Sequence, residues 1–122
     1  MSVVLIATSD SALANIFTSE LESLGHEPLW EADGYAAHRA ALESQPDLVL
    51  LDVTLPVHTG LELAAMLRNE PDLSPRLPVL LLTDDAIEPH ALEKAGITQV
   101  FPKTHEASAL RELLTALENA AR

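Results

Sequence analysis

Residues 46–56 read Pro46-Asp47-Leu48-Val49-Leu50-Leu51-Asp52-Val53-Thr54-Leu55-Pro56. Leu48 to Leu51 is an apolar run without polar alternation, the pattern of a strand covered on both faces in a parallel sheet. An aspartate closes it. A carboxylate at the end of a buried strand is costly to desolvate unless a cation or hydrogen-bond donors meet it. Asp52 therefore marks a candidate site as well as a strand end.

Similar runs lie to either side, at Val3–Ala7 and at residues 78–82, and each is followed by polar residues and a stretch with helical periodicity. Weaker strands are expected at residues 28–31 and at Gln99–Phe101, which makes five in all. Leu13, Ile16, Phe17, Leu21 and Leu24 fall on one face of a first helix, capped by Asp10 or Ser11 and stopped by Gly25. Further helices are expected over Gly34–Ser44, 61–69, Pro89–Ala95 and 106–120, the last with Leu110, Leu113, Leu114 and Leu117 facing inward. Pro89 suits a first helical turn and Gly96 a C-terminal stop.

Strands alternating with helices give an α/β fold. Pro102 cannot donate a ladder hydrogen bond, which places the fifth strand at an edge, and the second strand is the other edge candidate. Right-handed crossovers and short connections then favour a doubly wound, five-stranded parallel sheet of order 2-1-3-4-5 with helices on both faces. The 122 residues are the size of one domain, so residues 1–122 are read as a single unit with no room for a separate sensor or DNA-binding module.

Composition narrows the function. Nineteen acidic against seven basic side chains, a formal charge of -12, would repel phosphate backbones and anionic membranes, so neither nucleic acid nor membrane is expected as a partner. The absence of cysteine excludes thiol catalysis and disulfides and fits a reducing compartment. The N-terminal apolar run lacks a basic segment before it and is too short to span a bilayer, so a cytoplasmic protein is expected.

In a sheet of this order the functional crevice lies outside the carboxyl ends of the strands. The residues delivered there are Thr8, Ser9 and Asp10 after strand one, Asp52, Thr83 with Asp84 and Asp85 after strand four, and Lys103 after strand five. Lys103 is the cation this topology brings towards Asp52. Two readings follow: an internal ion pair, or a carboxylate nucleophile whose phosphorylated form is held by the Lys103 ammonium and the Thr83 hydroxyl.

At these positions the chain resembles the receiver domain of two-component response regulators, over essentially its whole length. Pro46 to Asp52, Leu55-Pro56 and Gly60-Leu61-Glu62-Leu63 are similar to the stretch around that family's phosphoacceptor, which falls on Asp52. Pro78-Val79-Leu80-Leu81-Leu82-Thr83 is similar to its fourth strand with the switch hydroxyl, on Thr83. Ala95-Gly96 and Phe101-Pro102-Lys103 are similar to the segment with its pocket lysine, on Lys103. The resemblance implies a flavodoxin-like fold and a signalling module that is not an enzyme. It also implies protein partners, a histidine kinase or phosphotransfer protein among them, and a magnesium ion in the pocket.

Departures from the family pattern alter those expectations. Receivers carry two acidic residues after strand one, where this chain has neutral Thr8 and Ser9, and Asp10 comes one position late. Candidate metal ligands are thus reduced to Asp10, Asp52 and Asp84. Hydroxyls around a single carboxylate should hold magnesium poorly, so no resident cofactor is expected and phosphotransfer should be slow. Asp84 replaces a small residue beside the switch hydroxyl and is expected to repel a phosphoryl group or point outward. Val100 replaces the switch aromatic, with Phe101 facing the other side of the sheet. Thr104 replaces a proline that follows the lysine through a cis bond, so here either the bond is trans and the loop differs, or packing holds a strain of roughly 3 kcal/mol.

Within this resemblance Asp52 is read as part of a degenerate pocket paired with Lys103, the alternative being a working phosphoacceptor. A flavin-, nucleotide- or corrinoid-binding domain of the same fold is disfavoured, because Thr8-Ser9-Asp10-Ser11 has no glycine to wrap a phosphate. A hydrolase using Asp52 lacks a second acid/base and a metal site. His26, His38, His58, His90 and His105 are not at metal-ligand spacing and are read as solvated, Glu20, Glu22 and Glu31 as a wet face, and Trp30 as a packing residue. The resemblance places a partner surface over residues 85–117, where Ile87, Ile97 and Val100 could form apolar patches.

Overall fold

A computed structural model describes residues 2–103, 111, 112 and 115. Along the chain run β1 (Val3–Ala7), α1 (Ser11–Ser23), β2 (Glu27–Glu31), α2 (Gly34–Ser44), β3 (Leu48–Asp52), α3 (Gly60–Arg68), β4 (Val79–Leu82), α4 (Pro89–Ala95) and β5 (Gln99–Phe101). All four strand pairings are parallel and the sheet order is β2-β1-β3-β4-β5. Most of the expected helix 106–120 lies outside the described residues; Arg111, Glu112 and Thr115 are helical.

The apolar strands feed two cores because successive side chains face opposite sides of the sheet. Leu5, Ala7, Val49, Leu51, Val79 and Leu81 pack with Ala37, Ala41, Leu63, Ala64 and Leu67 of α2 and α3. Val4, Ile6, Leu48, Leu50, Leu80 and Leu82 pack with Leu13, Phe17 and Leu21 of α1. Both faces of β3 are thereby covered, and its five residues are all buried.

Asp10 caps α1 by accepting the Leu13 N–H at 3.1 Å. Leu24, expected on the buried face of that helix, is instead its C-cap and 39% exposed, because the chain turns away at Gly25 with φ +85°. Ile87, Ile97 and Val100 do not form a free apolar patch: all three are half-buried against the core below the sheet's α2–α3 face.

Both sheet edges carry a proline. In β2 the Glu27 N–H reaches the Ser2 carbonyl at 2.8 Å and the Glu31 carbonyl accepts the Thr8 N–H at 3.1 Å, so the odd-numbered residues face β1. Pro28 points to the open side, where its missing N–H costs no ladder bond. Pro102 follows β5 directly.

The start of α3 is pressed against the candidate site. Thr59 and Glu62 form a reciprocal capping box, and Gly60 packs so closely that a Cβ there would lie 2.6 Å from the Asp52 carbonyl oxygen and 2.9 Å from Leu81 Cδ1. Gly60→Ala should therefore push α3 off the end of β3, lowering stability by about 2 kcal/mol in urea unfolding. A variant as stable as the parent would show that this helix end can shift freely.

Candidate functional site

Asp52 ends β3 in the middle of the sheet and is 2% exposed. Its Oδ1 receives three donors: the Lys103 Nζ at 2.8 Å, the Thr54 N–H at 2.9 Å and the Thr54 hydroxyl at 2.9 Å. Its Oδ2 accepts the Thr8 hydroxyl at 2.8 Å. Lys103 also donates to the Thr54 Oγ1 at 3.0 Å, which closes a triangle of lysine, threonine and aspartate. The Thr8 hydroxyl is in turn fixed by the Asp10 N–H at 3.1 Å.

Burial is the largest influence on the Asp52 carboxyl and by itself would raise its pKa. The Lys103 ammonium, the Thr54 N–H and the Thr8 and Thr54 hydroxyls together outweigh it and hold the group below its ordinary value. Asp52 is thus a buried anion met by an ammonium, an amide N–H and two hydroxyls of this chain.

The remaining candidates stand apart from Asp52. Thr83 is 3% exposed, but its hydroxyl serves its own turn, accepting the Asp85 N–H at 3.0 Å and facing the Asp85 carbonyl at 3.4 Å. Ser9 is exposed and is not among the groups that bond Asp52. Asp10 is occupied as the α1 cap. Asp84 is exposed, and its Oδ1 accepts the Lys103 backbone N–H at 2.9 Å. The Lys103–Thr104 bond lies outside the described residues, among which every peptide bond is trans.

Thr54 escaped sequence reasoning, although a readable signal existed. An aspartate followed two residues later by a hydrogen-bonded N–H is an Asx turn, common where a strand ends in a loop. Trp30 is 40% exposed and not simply packed; its indole N–H donates to the Thr8 carbonyl at 2.8 Å, steadying the residue that bonds Asp52. Three other residues read as solvated also have partners: Glu20 is 8% exposed and accepts from Arg111 at 2.7 Å, half-buried His38 meets Glu70 at 2.8 Å, and half-buried His26 accepts the Ser2 N–H at 3.2 Å.

The donor set does not suit magnesium. That ion asks for octahedral oxygen coordination anchored by carboxylates, whereas the pocket offers one carboxylate already shared with an ammonium, flanked by threonine hydroxyls. Among the described residues no group of three or more His, Asp or Glu side chains is placed to hold a metal ion.

A buried aspartate at the end of the central strand of a 2-1-3-4-5 sheet, met by a lysine from the loop after the edge strand, defines a receiver-type signalling domain. A profile of the response regulator receiver domain matches residues 4–115, and the chain belongs to that family. The probable transcriptional regulatory protein TcrX of Mycobacterium tuberculosis is 40% identical over 96 residues, 78% of this chain but only 38% of TcrX, so the chain spans well under half of that relative. The chemotaxis response regulator CheY4 of Vibrio cholerae shares the fold with a TM-score of 0.88 at 24% identity, covering 95% of this chain and 98% of CheY4. The receiver domain of the sensor histidine kinase PA1611 from Pseudomonas aeruginosa superposes with a TM-score of 0.81 at 25% identity, covering 94% of this chain and 95% of that one. Its structure has a magnesium ion coordinated in the active-site cleft.

Proposed function

We propose that this chain is a signalling receiver acting through regulated binding to other proteins, with magnesium-dependent phosphorylation of Asp52 impaired. The observation that carries this reading is the filling of the Asp52 carboxylate by Lys103, Thr54 and Thr8, with no group of three metal-ligating side chains among the described residues. A phosphodonor would have to displace these donors and would find no metal ligands to offset the charge that builds during transfer.

The residues divide the work accordingly. Lys103 neutralises Asp52, Thr54 orients both, and Thr8 fills the second oxygen. Thr83, the family's switch position, rests in its own turn. The partners consistent with this reading are proteins of two-component pathways, such as a histidine kinase or a phosphotransfer protein, in the cytoplasm. Among the described residues no helix is long and apolar enough to cross a membrane.

The test is incubation with a small-molecule phosphodonor and excess magnesium, followed by intact mass, with Asp52→Asn as control. The expected result is no adduct on either protein. One added phosphoryl group on the parent and none on Asp52→Asn would overturn the reading and make the chain a phosphorylation switch.

A further inference from the structure

Asp84 lies outside the pocket yet connects the turn around Thr83 to the loop that carries Lys103. It sits between Thr83, whose hydroxyl is held by the Asp85 N–H at 3.0 Å, and Asp85 itself. Its own carboxylate reaches across to the loop after β5 and accepts the Lys103 N–H at 2.9 Å. The side chain of that same lysine carries the ammonium on Asp52, at 2.8 Å. Three consecutive residues after β4 thus tie the turn around Thr83 to the main chain of Lys103.

The geometry matters because β5 is only three residues long and lies at the sheet edge, paired on one side alone. The Phe101 carbonyl faces β4, accepting the Thr83 N–H at 2.9 Å, so Pro102 points to the open side and Lys103 is the next residue turned towards β4's loop. Its N–H is the backbone donor that fastens this end of the strand there, and Asp84 is its acceptor. Lys103 has a long side chain whose fixed placement costs conformational entropy, so its hold on Asp52 depends on where its main chain is pinned.

We propose that Asp84 is a positioning residue: by accepting the Lys103 N–H it keeps the Lys103 ammonium on Asp52 and couples that pairing to the Thr83 turn. The proposal rests on the reading of the pocket as internally compensated.

The chain has one other lysine, exposed Lys94 on α4, which serves as an internal reference. Competitive acetylation with a water-soluble amine-reactive ester, read by peptide mass, gives the labelling rate of Lys103 relative to Lys94. In the parent, Lys103 should label much more slowly than Lys94, because its ammonium is shared by Asp52 and Thr54. Asp84→Ala should raise the Lys103:Lys94 ratio by about fivefold to tenfold, the size expected for one lost hydrogen bond. Asp84→Asn, whose amide oxygen can still accept the N–H, should keep the ratio near that of the parent. Leu67→Ala, which destabilises the core far from this loop, should leave the ratio unchanged under native conditions.

An unchanged ratio in Asp84→Ala would overturn the proposal, as would an equal rise in Asp84→Asn, which would trace the effect to charge alone. A rise in Leu67→Ala would do the same by tracing it to general loosening. None of these readouts involves phosphorylation, so a phosphoryl adduct on Asp52 would count against the proposed function without deciding the role of Asp84. Equal labelling of Lys103 and Lys94 in the parent would remove both the paired pocket and its positioning residue.

Discussion

Lys103→Met should lower stability at about pH 7 by about 3 kcal/mol, a loss that shrinks as the pH falls towards about 3. Methionine keeps most of the lysine's apolar stem, so the change removes chiefly the ammonium. Asp52 is then left as a buried anion with only the Thr54 N–H and the Thr8 and Thr54 hydroxyls. Breaking a buried pair costs more than the pair itself contributes, since the orphaned charge remains desolvated. The sign of the pH dependence follows from the depressed Asp52 pKa in the folded parent. Such a group contributes stability above its unfolded-state value, and the contribution is lost as the pH drops through the folded-state value. In the variant, burial acts with less opposition and the depression lessens or reverses, so parent and variant converge in acid. Urea unfolding at both pH values measures this. A constant difference between them would mean that Asp52 is not the anion in question.

The double variant Thr8→Asp/Ser9→Asp should lose about 3 kcal/mol without divalent metal and recover much of it in millimolar magnesium, whereas the parent's melting temperature should not move with magnesium. The Thr8 hydroxyl lies 2.8 Å from Asp52 Oδ2, so a carboxylate at this position replaces a donor with a like charge. Lys103 cannot neutralise both. A divalent cation can, and once bound only to the folded state it stabilises by mass action. Thermal melts with and without magnesium decide the matter. If parent and variant respond alike to the ion, the neutral pair at Thr8 and Ser9 is not what distinguishes this pocket.

The fold was written in the hydrophobic pattern because burial on both faces leaves strands no polar positions. β1, β5, α2 and α4 have the bounds the pattern indicates. α3 begins one residue earlier than expected, at Gly60, because Thr59 and Glu62 cap it; that spacing is itself a readable signal. Strand order brings Asp52, Lys103 and Thr8 to one end of the sheet, where the structure joins them by hydrogen bonds. What the sequence did not disclose depends on rotamers and loop turns: Thr54 folding back onto Asp52, Thr83 serving Asp85, and Asp84 reaching Lys103 rather than the pocket. Glu20 was misread for a related reason. Its partner Arg111 is 91 residues distant in the chain, and a helix pattern shows which residues are charged but not which charges lie across the next groove.

The prolines at the two sheet borders bear on how this chain behaves in a crowd of its own copies. A parallel sheet with bare margins can recruit a neighbour's strand and grow by templating, the first step towards fibrils. Here one margin has Pro28 turned outward as the second residue of a five-residue strand, and the other is a three-residue strand with Pro102 directly after it. An incoming strand would find at each margin too short a row of donors to zip along. With a charge of -12 adding mutual repulsion, growth of the sheet by strand addition is disfavoured at both margins.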